Sequence, residues 1–347
     1  MSVNLSILEG AYLRDLLEQP HAVAHAIRRL AHTASLPKRA LACQRLILTG
    51  MGSSLHSLYP LQLRLARAGR VALMVETAEL IHSQSTLLTE DTLLIVVSQS
   101  GRSIETIQLL ELIRTQPTKP FVVGLTNTPD SDLAWKSDTV LLMNAGPEYS
   151  VSCKTYLATL VLLEWLGGAL CGDDLNVIIA ELERGAPAVE TYLTDWRKHV
   201  AELASVFTDI RHLFLTGRGA SLATANTGAL ILKESTRFHA EGMSSPAFRH
   251  GPMEMVTPGV FAVVFDGHPA TRALNQTLVR DIRTAGGRAN LVGVESEIGA
   301  FRLPVVPARL LPVFEMLPIQ MLSLALAALI GREPGRFERA TKITVVA

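Results

Sequence analysis

Cysteine is scarce in this chain. Its 347 residues contain three, Cys43, Cys153 and Cys171, widely spaced and with no CxxC pair. Neither a disulfide framework nor a thiolate zinc site is therefore expected. An excess of charge of one sign is also lacking, because 32 Lys and Arg balance 32 Asp and Glu. That argues against the basic footprint of a nucleic-acid binder and against a basic membrane-surface helix. The first residues lack a basic stretch leading into an apolar one, so no secretory signal is expected and the cytoplasm is the expected compartment. Low-complexity segments are missing too. A single long apolar run exists, Leu311–Ile330, about long enough to cross a bilayer. It carries Pro312, Glu315, Pro318 and Gln320 and has no second span to accompany it, so it predicts a buried helix rather than a membrane segment. What remains is a composition 48% hydrophobic and 18% charged, at a length that suits two domains.

The chain repeats itself. Arg45–Ser54 reads RLILTGMGSS and His212–Ser221 reads HLFLTGRGAS. Both contain L-T-G-x-G, each after an apolar strand pattern and before a helical one, which points to duplicated α/β domains. Further Val/Ile/Leu runs of the kind found in buried parallel strands follow in each half. In the first half they predict strands at Arg45–Thr49, Val71–Glu76, Leu93–Ser98, Phe121–Thr126 and Thr139–Met143. In the second they predict Leu213–Thr216, Val260–Asp266, Asn290–Val294 and a weaker one near Leu303–Val306. The expected fold is α/β, two tandem doubly wound parallel sheets of flavodoxin-like type. An N-terminal helical segment (1–34) precedes a first domain (35–172). A helical linker (173–204), a second domain (205–332) and a C-terminal tail (333–347) follow.

Chemistry concentrates at the strand ends. The run Leu93–Val97 stops at Ser98-Gln99-Ser100-Gly101-Arg102-Ser103, and an amphipathic helix pattern then begins with Ile104, Ile107, Leu110 and Ile113. A hydroxyl-rich turn at a helix N-terminus favours an anion, through free backbone N–H groups, the helix dipole and serine hydroxyls. Serines also start helices as simple caps. Here, however, Ser53 and Ser54 form a second such turn after the first strand, and two turns at adjacent strand ends favour a ligand. The turns have neither the Lys of a P-loop nor the third glycine of a dinucleotide site. The expected ligand is a small phosphorylated metabolite. His21 and His25 lie four apart but lack the Glu of an HExxH motif, so no metal is expected there.

The ordered set of short motifs resembles the sugar isomerase (SIS) superfamily over nearly the whole chain. It includes Glu18-Gln19-Pro20, Gly50-Met51-Gly52-Ser53-Ser54, Ser98-Gln99-Ser100-Gly101 and Ala145-Gly146-Pro147-Glu148. Gly217-Arg218-Gly219, Leu232-Lys233-Glu234, His250-Gly251-Pro252 and Lys342-Ile343-Thr344-Val345 complete it. The resemblance is closest to the isomerase half of glutamine–fructose-6-phosphate amidotransferases and to stand-alone deaminase and deglycase relatives. It implies that Ser53, Ser54, Ser98, Gln99, Ser100 and Ser103 hold a sugar phosphate, with Glu148 and Val151 lining the sugar pocket. It also implies that Glu234 shuttles a proton between C1 and C2 through a cis-enediol and that His250 opens the sugar ring. Lys342, on a tail that closes over the sugar, would form an imine with the open-chain ketose or stabilise enediolate charge. His250 is presented across a dimer interface in the family, so a homodimer is implied, with no metal or organic cofactor. Taken one at a time, Glu234 beside Lys233 also reads as a solvated helix residue, His250 as a surface loop residue and Lys342 as an exposed terminal lysine.

The pattern breaks in three places. No cysteine precedes Cys43, so glutamine-dependent nitrogen transfer is not expected of this chain. The synthase pattern has a Lys at the position of Ile231 and an acid at that of Thr227. Cys153 stands where the synthase has a Ser near the sugar hydroxyls. The expected activity is that of a phosphosugar aldose–ketose isomerase or isomerising deaminase acting on an amino-sugar or ketose 6-phosphate. Two alternatives accompany it. One is a deglycase of a phosphorylated sugar–amine adduct, for which Ile231 leaves room. The other is a non-catalytic phosphosugar-binding regulator.

Overall fold

The structure is a computed structural model that describes residues 4–33, 35–339 and 341–344. It divides into two compact units, each built on one parallel sheet.

The first-sheet unit comprises the described residues of His21–Glu148, Lys154–Glu183 and Glu338–Ala347. Its strands are β1 (Arg45–Gly50), β2 (Ala72–Glu76), β3 (Thr92–Val97), β4 (Phe121–Thr126) and β5 (Thr139–Leu142), in the order β2-β1-β3-β4-β5. Every pairing is parallel. Strands β3 and β4 are buried along their full length, as the continuous Leu/Ile/Val runs require of strands covered on both faces. The helix Ile104–Thr115 buries Thr106, Leu109, Leu110 and Ile113, one stripe at helical spacing. Its apolar side meets Ile47, Leu94, Val96 and Val122 of the sheet in one core cluster. The strand order reverses direction between β1 and β3, and the two are in register to their ends, Gly50 opposite Val97. That point is where an open α/β sheet offers a ligand crevice.

The second-sheet unit comprises the described residues of Met1–Pro20, Tyr149–Cys153 and Arg184–Phe337. Its strands are β6 (His212–Gly217), β7 (Ala240–Ser244), β8 (Val260–Phe265) and β9 (Arg288–Val292), ordered β7-β6-β8-β9 and all parallel. Its core gathers Phe214, Phe248, Val260, Ala262, Val264, Leu278 and Ile282. The apolar run folds as the helix Leu311–Leu329, buried over almost its whole length. Its polar residues are satisfied inside the unit. Gln320 and Gln19 exchange two amide hydrogen bonds of 2.9 and 2.8 Å. Ser323 Oγ lies 3.1 Å from the Tyr12 hydroxyl, and Glu315 accepts from Ser221 Oγ at 2.7 Å. Buried polar groups paired in this way do not incur the desolvation penalty of unpaired ones.

The second sheet departs from the expected strands at two points. No strand forms at Leu303–Val306. Only a single bridge, Gly293 with Arg302, joins this region to the sheet, and Pro304 and Pro307 have no N–H to give a ladder. Strand β7 has no signature in the sequence, because Ala-Glu-Gly-Met-Ser has no apolar run. Gly242 explains its composition, since a Cβ there would lie 2.4 Å from the Ala225 carbonyl oxygen. The segment expected to be helical (173–204) holds three helices, Leu175–Glu183, Ala186–Thr194 and Trp196–Val206. The first belongs to the first-sheet unit and the other two to the second, where Trp196, Val200 and Leu203 are buried. The N-terminal segment is likewise shared between the units, whose division falls after Pro20.

Candidate functional site

In the first-sheet unit the two serine turns sit side by side at the carboxyl ends of β1 and β3. Gly52, with φ +51°, precedes the short helix Ser53–Ser57. Gly50 has no room for a side chain, because a Cβ would lie 3.0 Å from both Leu55 N and Val97 O. The second turn is held by its own hydroxyls. Gly101 N donates to Ser98 Oγ at 3.1 Å, Arg102 N donates to Ser100 Oγ at 3.2 Å, and Ser103 Oγ lies 2.8 Å from Thr106 Oγ1. The Gln99 carbonyl accepts from Asn127 N and from Thr126 Oγ1, which fastens the turn to the end of β4. Ser98 and Ser100 are buried, while Ser53, Ser54, Gln99 and Ser103 are half-buried. Ser103 caps the helix Ile104–Thr115 by position but not by side chain, so the N-terminal amides of that helix are not taken up by its hydroxyl. Arg102 pairs with Asp130 at 2.9 Å and is partly exposed.

Gly101 is the most constrained point of the turn. Its φ is +61°, and a Cβ would meet Ser131 Oγ at 2.2 Å. Gly101→Ala is expected to destabilise the protein by about 1–3 kcal/mol, read by chemical denaturation. A variant with wild-type stability would contradict the constraint at this turn.

The C-terminal segment reaches the same turn. Ile104 N, the first amide of the helix, donates to the Thr344 carbonyl at 3.1 Å. Two residues earlier, Lys342 Nζ lies 3.0 Å from Glu148 Oε2. The Glu148 carboxylate also accepts from Thr155 N at 3.1 Å and from Thr155 Oγ1 at 2.8 Å, at the start of the helix Lys154–Cys171. The structure thus brings Lys342, Glu148 and the Ser98–Ser103 turn into one unit. Val345, the last residue of the tail motif, lies outside the described residues.

In the second-sheet unit Glu234 is half-buried near the end of the helix Ser221–Thr236. Thr227 and Ile231 precede it on that helix at 0% and 1% exposure. Spacings of four and three residues put all three on one helix face. His250 is exposed and ends the short helix Ser245–Arg249, where Gly251 (φ +128°) and Pro252 turn the chain away. Val151 and Cys153 are buried in this unit, and His239 is exposed, 3.8 Å from Glu241. His21 and His25 stack with ring centroids 6.0 Å apart, and His25 Nδ1 bonds to the Asn144 carbonyl.

Comparison with known proteins places this geometry. The SIS domain family model matches residues 41–167 and 206–293, once on each sheet and over more than half of the chain. The chain belongs to the SIS domain family. Among curated relatives, a glutamine–fructose-6-phosphate aminotransferase (isomerizing) of Pyrococcus horikoshii is 32% identical over 97% of this chain. The corresponding protein of Streptomyces coelicolor is 28% identical over 92%. The chain spans 58% and 56% of those two proteins' lengths. Among solved structures, the C-terminal domain of a glucosamine-fructose-6-phosphate aminotransferase from Francisella tularensis superposes with a TM-score of 0.85 at 22% identity. That match covers 94% of this chain and 98% of the other. A tagatose-6-phosphate ketose/aldose isomerase from Escherichia coli gives 0.80 at 19% identity, over 97% and 98%. A glucosamine-6-phosphate deaminase from Thermotoga maritima gives 0.79 at 17% identity, over 97% and 100%.

One group in this SIS chain stands out only in the structure. Glu315 lies in the apolar helix, fully buried, between the hydroxyls of Ser221 and Thr224 in the first turn of the helix that carries Glu234. Burial raises its carboxyl to about 8, and the nearby Asp266 charge pushes the same way, against the two hydroxyl donors. Asp266 is itself raised by burial, although Arg272 lies 2.7 Å away. The polar residue in the apolar run was the only sequence signal for Glu315. Its partners are 91 and 94 residues away in sequence.

Proposed function

We propose that this protein is a phosphosugar aldose–ketose isomerase, or an isomerising deaminase, acting on an amino-sugar or ketose 6-phosphate through a cis-enediol. The observation that carries the reading is the pair of serine turns at the ends of β1 and β3, with the Lys342-bearing segment fastened to the second turn through Thr344. Neutral hydroxyls and helix N-terminal amides suit a phosphate dianion. In this reading Ser53, Ser54, Ser98, Gln99, Ser100 and Ser103 hold the phosphate. Glu234 takes the proton from one of C1 and C2 and returns it to the other. His250 moves a proton between the ring oxygen and the anomeric hydroxyl, and Lys342 acts on the open-chain carbonyl or the enediolate. The relatives named for fructose 6-phosphate, tagatose 6-phosphate and glucosamine 6-phosphate support this substrate class.

Incubation in deuterated water with fructose 6-phosphate, tagatose 6-phosphate and glucosamine 6-phosphate tests the proposal by NMR. Exchange of the C1 or C2 proton with solvent supports it, and absence of exchange across hexose and hexosamine 6-phosphates defeats it. Ammonia release in the same samples separates deamination from isomerisation.

A deglycase of a phosphorylated sugar–amine adduct is the second reading. The observation that favours it is that Thr227 and Ile231, on the Glu234 face of the helix, are a hydroxyl and a hydrocarbon, fully buried. Neither can carry charge toward a free amine. Faster turnover of N-substituted than of free amino sugars would select it.

The reading includes a homodimer in which each copy lends His250 to the other. Mixing Glu234→Gln with His250→Ala, both inactive alone, is then expected to restore about a quarter of wild-type activity, since half the dimers become mixed and each has one intact site. No recovery after verified subunit exchange would place Glu234 and His250 of a single chain in the same site.

A further inference from the structure

The Lys342–Glu148 contact leads one step further, and the step rests on the function proposed above. We propose that Glu148 is the positioning residue for Lys342, acting on the reaction through the lysine and not by touching the sugar. The Glu148 side chain has 0% exposure. Thr155 N holds Oε1 at 3.1 Å, while Thr155 Oγ1 and Lys342 Nζ hold Oε2 at 2.8 and 3.0 Å. A carboxylate so enclosed presents no surface to a sugar hydroxyl. Its orientation is set in part by the second residue of an 18-residue helix, a more precise support than a loop. The N-terminal end of that helix is also a favourable place for a negative charge.

Lys342 has the opposite character. It lies in a segment without helix or strand, and its four-carbon stem has many rotamers. The segment is tied down on the C-terminal side of Lys342 by the Thr344 carbonyl on Ile104 N. That bond fixes the backbone, and the Glu148 ion pair fixes the head group. Together they place Nζ before substrate arrives, and placement of a reacting group is worth large factors in rate. Thr155 supplies two donors to the carboxylate, so it belongs to the same device.

Steady-state kinetics of Glu148→Gln, Thr155→Val, Lys342→Ala and Glu148→Gln/Lys342→Ala test this, with circular dichroism to confirm folding. Glu148→Gln is expected to lower kcat by about tenfold to a hundredfold with KM changed less than about twofold. Thr155→Val should give a smaller loss in kcat alone. The double variant should be no slower than Lys342→Ala, because a residue that acts through the lysine has nothing left to act on. A rise in KM at unchanged kcat, or a double variant slowed by the product of the single effects, overturns the proposal. One measurement is independent of turnover. Site-resolved mass spectrometry after brief treatment with an amine acylating reagent should show Lys342 labelled at least about threefold faster in Glu148→Gln, once the ion pair is gone. Equal labelling overturns the tether. Absence of turnover by the wild-type protein defeats the functional reading while leaving this comparison decisive.

Discussion

Replacing Glu234 by Gln is expected to slow turnover of a hexose 6-phosphate by about a thousandfold, within the range that a positioned acid–base group supplies. The substitution keeps the shape of a half-buried side chain and removes only its ability to carry a proton. Its helix, Ser221–Thr236, is anchored by Leu232, Ser235 and Thr236, all buried, so the fold should tolerate the change. Binding should persist, because the proposed phosphate contacts lie on other elements, at the ends of β1 and β3. Calorimetry with a sugar phosphate and single-turnover kinetics give the two numbers. Loss of turnover with affinity retained supports the shuttle role. Loss of both makes Glu234 a structural or binding residue. Loss of neither shows that Glu234 is not the proton shuttle.

The second large effect concerns stability. A carboxyl at about 8 in the folded protein and 4.5 in its ordinary state means that the folded form binds the extra proton between those limits. The contribution of Glu315 to stability is fully present below about 4.5 and is lost as pH rises through about 8. Taken alone the shift corresponds to about 5 kcal/mol, an upper figure for a buried group. Glu315→Gln removes the titration and leaves a neutral side chain that can still bond to Ser221 and Thr224. Its unfolding free energy should match the wild type near pH 4 and exceed it by several kcal/mol at pH 9, as read by urea denaturation across that range. Parallel pH curves for the two proteins would show that Glu315 is not the group that titrates.

The first sheet could be read almost residue by residue. Its strands are continuous apolar runs such as Leu93–Val97, and burial on both faces leaves no other composition open. The serine turns were legible for a related reason, since the abrupt change from hydrocarbon to hydroxyl marks where a strand leaves the core. The second sheet hid an edge strand because β7 carries glycine where another side chain would strike the backbone of the helix beside it. Close approach, not hydrophobicity, chose that residue. Arg45–Ser54 and His212–Ser221 announced the duplication, yet nothing local revealed that Trp196–Val206 buries Trp196, Val200 and Leu203 in the second-sheet unit. The Lys342–Glu148 and Glu315–Ser221 contacts join residues 194 and 94 apart in sequence, and only the folded chain brings them together. Glu148 and Lys342 were each legible as residues of interest, but their pairing was not.

The amide pair between Gln19 and Gln320 has an evolutionary consequence. Each side chain donates to the other and accepts from it, and both are wholly buried. Losing one strands a donor and an acceptor on its mate, at a penalty of about 1–3 kcal/mol for each group left unpaired. Losing both to hydrocarbon side chains of similar volume can be nearly neutral. The two positions, 301 residues apart, are therefore locked to each other's history. A lineage leaves the Gln–Gln state only by crossing a less stable ancestor or by changing both at once, so divergent members of this lineage should carry either both glutamines or neither.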